Sequence, residues 1–273
     1  MSKFNVTKNL QKLHVQSLDK ELNIIKFGRT EKYPVGFSGL KEAKFSSKIL
    51  LYPNLETISN LLSLTLSDLD FKTTRDLRFP PMLRCLVFEN CLISLLVTFP
   101  QTLRRLVVRG GKWKEQRIIT YVKLRELVLE RTDISDIVKK VNKPRELTSL
   151  TINQCQLQSL DDMKFAETLR HIDISNNNIT EISKVKFPSG LQSLKLNNNY
   201  LQSWDSETIS ETLGELNLSS NNLVGHIILA SEESNLKIIN VANNPQLKLI
   251  QAGKNVEIID LSGTQVNLKG LKT

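Results

Sequence analysis

LRHIDISNNNI, residues 169–179, returns as LQSLKLNNNYL at 191–201 and as LGELNLSSNNL at 213–223. The three stretches stand 22 residues apart in one frame. Leucine or isoleucine fills places 1, 4, 6 and 11, and asparagine fills place 9. Looser copies extend the frame backwards: LTSLTINQCQL from Leu147, LRELVLERTDI from Leu124, LRRLVVRGGKW from Leu103, LRCLVFENCLI from Leu83 and LLSLTLSDLDF from Leu61. LKEAKFSSKIL, from Leu40, is a degenerate first member, and LKIINVANN from Leu236 and VEIIDLSGTQV from Val256 close the series. Eleven units recur every 20–23 residues, the signature of a stacked repeat protein.

The frame has a physical reading. Places 4 and 6 lie on one face of a short strand because strand side chains alternate, and places 1 and 11 turn into the same core as the chain enters and leaves the strand. Place 9 reads Leu69, Cys91, Gly111, Thr132, Cys155, Asn177, Asn199, Asn221, Asn244 and Thr264. The frame resembles the leucine-rich repeat family, and the resemblance implies that place 9 is a ladder position, where a small polar side chain bonds the neighbouring backbone as the chain turns inside. Asparagine does this best, so the ladder is expected to be weaker in the first half, where Leu69 and Gly111 depart from the pattern. Cys91 and Cys155 read as structural ladder members; Cys85, at place 3, is the candidate exposed thiol.

Composition agrees with such a chain. It has 273 residues, with 44 leucines and 23 asparagines against 11 glycines and 8 prolines, so its turns must be made largely without the usual turn residues. No apolar run approaches the roughly 18 residues of a membrane span, and the start, MSKFNVTKNLQKLHVQ, lacks a signal-peptide apolar core. With only three cysteines, reduced thiols and an intracellular setting, cytoplasmic or nuclear, are expected. The sequons at Asn5, Asn178 and Asn217 carry little weight without a leader.

The period and the L-x-x-L-x-L-x-x-N/C-x-L core resemble the leucine-rich repeat family across residues 40–273. The resemblance implies an α/β leucine-rich repeat solenoid, a curved right-handed superhelix with a parallel β-sheet on its concave face and extended or 3-10 segments on its convex face. The arms between strands are too short for regular α-helices, and the spacing is similar to the SDS22-like intracellular class. Three arms end in Phe-Pro-x-x-Leu, at Phe79–Leu83, Phe99–Leu103 and Phe187–Leu191, where proline fixes the entry into the strand. Trp113 and Trp204 fall at core positions. Residues 1–39 stand outside the frame and are expected to form a capping β-hairpin or irregular cap, with strands near Leu10–Val15 and Leu22–Phe27. They show no helical period, which counts against an F-box. The terminal VNLKGLKT carries no cap of its own, as in a fragment or a chain that ends on a partner.

Catalytic signatures are missing from the sequence: there is no G-x-G-x-x-G, no P-loop and no C-x-x-C, and His14, His171 and His226 lack metal-ligand spacing. His171 and Asp173 share a strand face with Ser149 and Ser193, but a flat strand lacks the sharp elbow and oxyanion donors of a nucleophile site. No enzyme, cofactor or metal is expected.

What the repeat leaves free is the strand face, at places 2, 3, 5, 7 and 8. There Val87, Val107 and Val128 line up at place 5 as an apolar stripe, beside Arg84, Arg104 and Arg125 at place 2, Arg105 at place 3, Arg131 at place 8, and Glu89, Arg109 and Glu130 at place 7. An apolar stripe rimmed by arginines suits a protein partner on the concave face. The net charge of +9 and a pI near 9.4 raise nucleic acid or anionic lipid as the rival partner. Against that, aromatic residues are few and Glu89, Glu126 and Glu130 interrupt the basic stripe. A further expectation for the role is substrate recognition within a ubiquitin ligase. The basicity is lopsided: residues 1–140 hold 25 basic and 14 acidic side chains, residues 141–273 hold 12 and 14.

Overall fold

A computed structural model of the chain describes residues 11–16, 39–46, 55–69, 78–93, 99–113, 123–134, 145–161, 163–204, 210–229, 231 and 234–266. The chain divides into two compact units: residues 1–128 with 132–137, and residues 129–131 with 138–273.

The first unit is a stack of parallel strands, each one repeat further along the chain: β1 (Lys12–Gln16), β2 (Glu42–Ser46), β3 (Ser63–Ser67), β4 (Cys85–Glu89), and, after the short β5 (Leu92–Ile93), β6 (Arg105–Arg109). Another two-residue strand, β7 (Lys112–Trp113), pairs with β5, and β8 (Glu126–Glu130) begins in this unit. Register is kept from strand to strand, with Glu42 opposite Ser63, Ser63 opposite Cys85 and Cys85 opposite Arg105. β1 joins in the same sense, parallel to β2 with Leu13 opposite Ala43. The other strand expected near the N-terminus, Leu22–Phe27, lies outside the described residues.

The second unit repeats the plan with β9 (Ser149–Asn153), β10 (His171–Asp173), β11 (Ser193–Lys195), β12 (Glu215–Asn217), β14 (Ile238–Asn240) and β16 (Ile258–Asp260) in that order. A separate pair, β13 (Val224–Ile228) and β15 (Gln246–Gln251), lies in the arms. No α-helix occurs among the described residues; the helical element described is a 3-10 turn at Leu55–Thr57.

The core follows the frame. Leu83, Leu103, Leu169, Leu191, Leu194, Leu196 and Leu201 are fully buried, and each such side chain contributes about 2 kcal/mol of transfer free energy. The arm phenylalanines stack behind them, Phe79 against Phe99 at 5.7 Å and Phe165 against Phe187 at 5.4 Å between ring centroids. In each Phe-Pro-x-x-Leu arm the proline carbonyl accepts the leucine N–H three residues on, at 3.0–3.1 Å, which closes the turn into the strand. Trp204 is buried, and its Nε1–H donates to Leu229 O at 3.2 Å.

The asparagine ladder is present in the second unit. Asn199 donates to Ile174 O and Leu196 O, both at 3.0 Å, and its Oδ1 accepts Ile179 N–H at 3.0 Å. Asn177, Asn221 and Asn244 repeat the pattern. Earlier rungs are poorer. Cys91 and Cys155 offer thiols to Leu66 O at 3.2 Å and Leu129 O at 3.5 Å, and Thr132 buries its Oγ1 with no partner among the described residues. Gly111 serves in a different way: its φ is 74° and a Cβ there would collide with the Cys91 carbonyl, so only glycine fits.

Two further columns set the geometry of the open sheet face. Place 8, which the sequence reading leaves free to vary, is left-handed in every repeat from Leu61 on. Asp68, Asn90, Gly110, Arg131, Gln154, Asn176, Asn198, Ser220, Asn243 and Gly263 have φ between 51° and 69°. This is how a chain poor in glycine turns. Place 5 is linked to strand length except where it is Lys, since β2 with Lys44 runs five residues and β11 with Lys195 runs three. Where it is Thr or Val, as in β3, β4, β6, β8 and β9, the strand runs five residues. Where it is Asp or Asn, its side-chain Oδ1 accepts the N–H two residues later and the strand stops at three: Asp173 from Ser175, Asn217 from Ser219, Asn240 from Ala242 and Asp260 from Ser262, each at 3.0 Å.

Candidate functional site

Side chains at places 3, 5 and 7 point away from the core on the open sheet face, so register alone decides which of them meet. In the first unit the place 7 row gathers around Glu89. Its Oε2 accepts Lys44 Nζ at 2.9 Å and Ser67 Oγ at 2.8 Å, and its Oε1 faces Arg109 Nη1 at 3.7 Å. Partial burial pushes the Glu89 carboxyl up, but the hydrogen bonds from Lys44 and Ser67 and the charges of Lys44 and Arg109 outweigh it and hold the group below its ordinary value. On the other side of the valine row, at place 3, Arg105 Nε meets Glu126 Oε2 at 3.2 Å.

These pairs change the picture of the stripe. Val87 is half-buried, whereas Val107 and Val128 are only 1% and 6% exposed, so the row is not the solvent-facing apolar stripe that the sequence suggested. Val107 lies between Arg105 and Arg109 on its own strand, and each of those arginines is drawn sideways into an ion pair with a neighbouring strand. Side chains long enough to pair across 4.8 Å flank the short valine and keep water from it. The exposed apolar surface expected here is thus reduced to Val87.

The arginines divide. Arg84, Arg105, Arg125 and Arg131 are exposed, and Arg104 is half-buried. The Arg104 guanidinium is tied to its own turn, donating to Gln101 O at 2.8 Å and Leu103 O at 3.0 Å; Arg170 makes the same two contacts one unit later, to Glu167 O and Leu169 O. Arg104 therefore braces the strand entry. In the second unit, Arg131 occupies a left-handed turn with φ of 51°, its N–H donating to Asn153 O at 3.0 Å, and Glu130 is half-buried beside it. The structure brings Glu89, Arg105, Val107 and Arg109 into one patch and adds Lys44 and Ser67, which the sequence reading did not name. The signal was present: Lys44 is the place 5 residue of the degenerate Leu40 repeat and so faces the same way.

The cysteines follow the frame. Cys91 is buried, and burial pushes its thiol up to about 11. Cys85 and Cys155 are half-buried, and none of the three cysteines forms a disulfide among the described residues. Ser149 and Ser193 lie in register with His171 on either side, as expected. Ser193 and Asp173 are engaged otherwise: Ser193 Oγ donates to Glu215 Oε2 at 2.9 Å, Asp173 Oδ1 accepts both Ser175 N–H and Ser175 Oγ, and no hydrogen bond joins His171 to either serine or to Asp173 among the described residues. No group of three metal-ligating side chains is found among the described residues, and no described helix is long and apolar enough to cross a membrane.

The fold is that of leucine-rich repeat proteins. Similar solved structures include an internalin, InlF, from Listeria monocytogenes, with a TM-score of 0.51 at 20% identity over 76% of this chain and 69% of the internalin. The mouse RP105/MD-1 complex gives 0.47 at 13% over 87% and 55%, and the circular leucine-rich repeat protein CroV588 gives 0.46 at 13% over 82% and 43%. No protein-family model matches the chain, and no curated protein matches it in sequence.

Proposed function

We propose that this chain is a non-catalytic binding module that takes a protein partner on the open sheet face of its first unit, around Arg84, Val87, Glu89 and Arg105. The observation that carries this reading is the internal compensation of charge. Lys44 and Arg109 share Glu89, and Arg105 is paired with Glu126. A surface that tracks nucleic acid or anionic lipid needs cations free to replace counterions, whereas alternating pairs on a rigid sheet suit a protein surface of mixed charge. Three cysteines without a disulfide among the described residues support an intracellular setting, and the short arms between strands support placing the repeats with the SDS22-like class.

The test is affinity capture with the full chain and with a double variant, Arg84→Glu with Arg105→Glu. Retention by the wild type alone, persisting at about 0.5 M salt where the Debye length falls to roughly 4 Å, is the expected result. Ligands that elute from both proteins at that salt, with nucleic acid or lipid among them, would refute it.

A further inference from the structure

The open sheet face of the second unit holds a shallow depression of about 210 Å³, lined by Ser149, Thr151, His171, Asp173, Ser193, Lys195 and Glu215. Three of its polar side chains, Ser193, Lys195 and Glu215, are already spent. Glu215 uses both carboxylate oxygens, Oε2 on Ser193 Oγ at 2.9 Å and Oε1 on Lys195 Nζ at 3.3 Å, so these two charges cancel. Asp173 is different. One oxygen, Oδ1, is consumed within its own turn by Ser175 N–H at 3.0 Å and Ser175 Oγ at 2.6 Å. Neither a hydrogen bond nor an ion pair occupies the other oxygen among the described residues. Thr151, opposite Asp173 in register, and Ser149, opposite His171, likewise make no side-chain hydrogen bond among the described residues. The depression thus presents one uncompensated carboxylate oxygen and two hydroxyl acceptors on adjacent strands, 4.8 Å apart in the usual spacing of a sheet.

We propose that this depression is a subsite for a basic side chain, a guanidinium or ammonium group, presented by a bound protein. The cation meets the free oxygen of Asp173, and the remaining donors of its head group turn to Thr151 Oγ1 and Ser149 Oγ. An acidic group is disfavoured because the one lysine that could receive it is already neutralised by Glu215. The subsite rests on the reading of the chain as a protein-binding module, and it assigns part of the partner's chemistry: a lysine or arginine for the second unit, alongside the mixed-charge surface met by the first.

The inference can be tested on the intact chain without the partner. N-acetyl-arginine methylamide is titrated into the isotopically labelled protein and backbone amide shifts are followed, with the citrulline and glutamate analogues as neutral and acidic probes. Saturable shifts at Thr151, His171, Asp173 and Lys195 with the arginine probe alone are expected. Asp173→Asn should weaken that binding about ten-fold, as loss of a charge-assisted contact does. The variant keeps the fold, because asparagine caps the equivalent turn at Asn217, with Ser219 N–H at 3.0 Å and Ser219 Oγ at 2.8 Å, and at Asn240. Equal shifts from arginine and citrulline, preference for glutamate, or no effect of Asp173→Asn would overturn the subsite. Failure of the capture experiment with arginine binding intact would instead remove the reading of the first unit and leave this site standing.

Discussion

Lys44 and Glu89 bond at 2.9 Å although they belong to strands two apart, with β3 lying between them. The lysine, at place 5 of β2, reaches beyond β3 to place 7 of β4, which makes the patch a cross-strand network and not a set of side-by-side pairs.

Glu89 should therefore contribute to acid sensitivity. Its folded pKa lies below the ordinary 4.5, so the stabilisation is complete above the unfolded value and fades as pH falls through the lower folded value. Glu89→Gln is expected to lower unfolding stability by about 1 kcal/mol at neutral pH. The gap between variant and wild type should narrow in urea titrations as pH falls below 4.5 and Glu89 takes up its proton.

Cys91 should be silent to thiol reagents while the protein is folded. With its thiol raised to about 11, roughly one molecule in a thousand carries the thiolate at pH 8. Mass spectrometry after brief iodoacetamide treatment should find Cys91 unmodified in buffer and fully modified in denaturant. Labelling in buffer at the rate of a free thiol would contradict the burial described.

The ladder predicts opposite signs at two of its rungs. Asn199→Ala strands the Ile174 and Leu196 carbonyls and the Ile179 N–H inside the core, and is expected to cost about 3 kcal/mol. Thr132→Val removes a buried hydroxyl that has no partner among the described residues, and should leave stability unchanged or raise it by about 1 kcal/mol. Thermal and denaturant unfolding of the two variants distinguish the signs directly.

The left-handed column offers a stabilising change. Ser220 sits at φ 54° with a side chain that makes no hydrogen bond among the described residues, so Ser220→Gly is expected to gain about 0.5–1 kcal/mol. Gly111→Ala is the converse, with a loss of about 3 kcal/mol or more, because the added methyl meets the Cys91 carbonyl. A loss at Ser220→Gly would show that the serine does more in the turn than accept its geometry.

What was legible in the sequence was whatever repeats within one unit. Leu191, Leu194, Leu196 and Asn199 announce core and ladder by spacing alone, because strand alternation and the inward turn act on residues a few places apart. The left-handed column is also written there, as Asp, Asn, Gly, Gln, Asn and Ser at place 8, residue types that tolerate positive φ; the core spacing alone leaves that place free to vary. The burial of Val107 was not legible. It depends on where Arg105 and Arg109 send their guanidinium groups, and that is decided by Glu126 and Glu89 about twenty residues away in the chain. The Asp173 turn was hidden for a related reason: an aspartate on a strand face looks like surface until its bond to Ser175 shortens the strand.

The place 5 column makes the two units differ in how they can change. In the first unit Val87 and Thr65 shape the surface but hold no turn together, so substitution there rewrites what a partner meets and leaves the backbone alone. In the second, Asp173, Asn217, Asn240 and Asp260 hold the turn with the same side chain that faces outward. Those positions can exchange aspartate for asparagine, switching charge at constant geometry, and little else. Variation in the first unit is continuous, and at these four positions of the second, Thr151 and Lys195 aside, it is a two-letter alphabet.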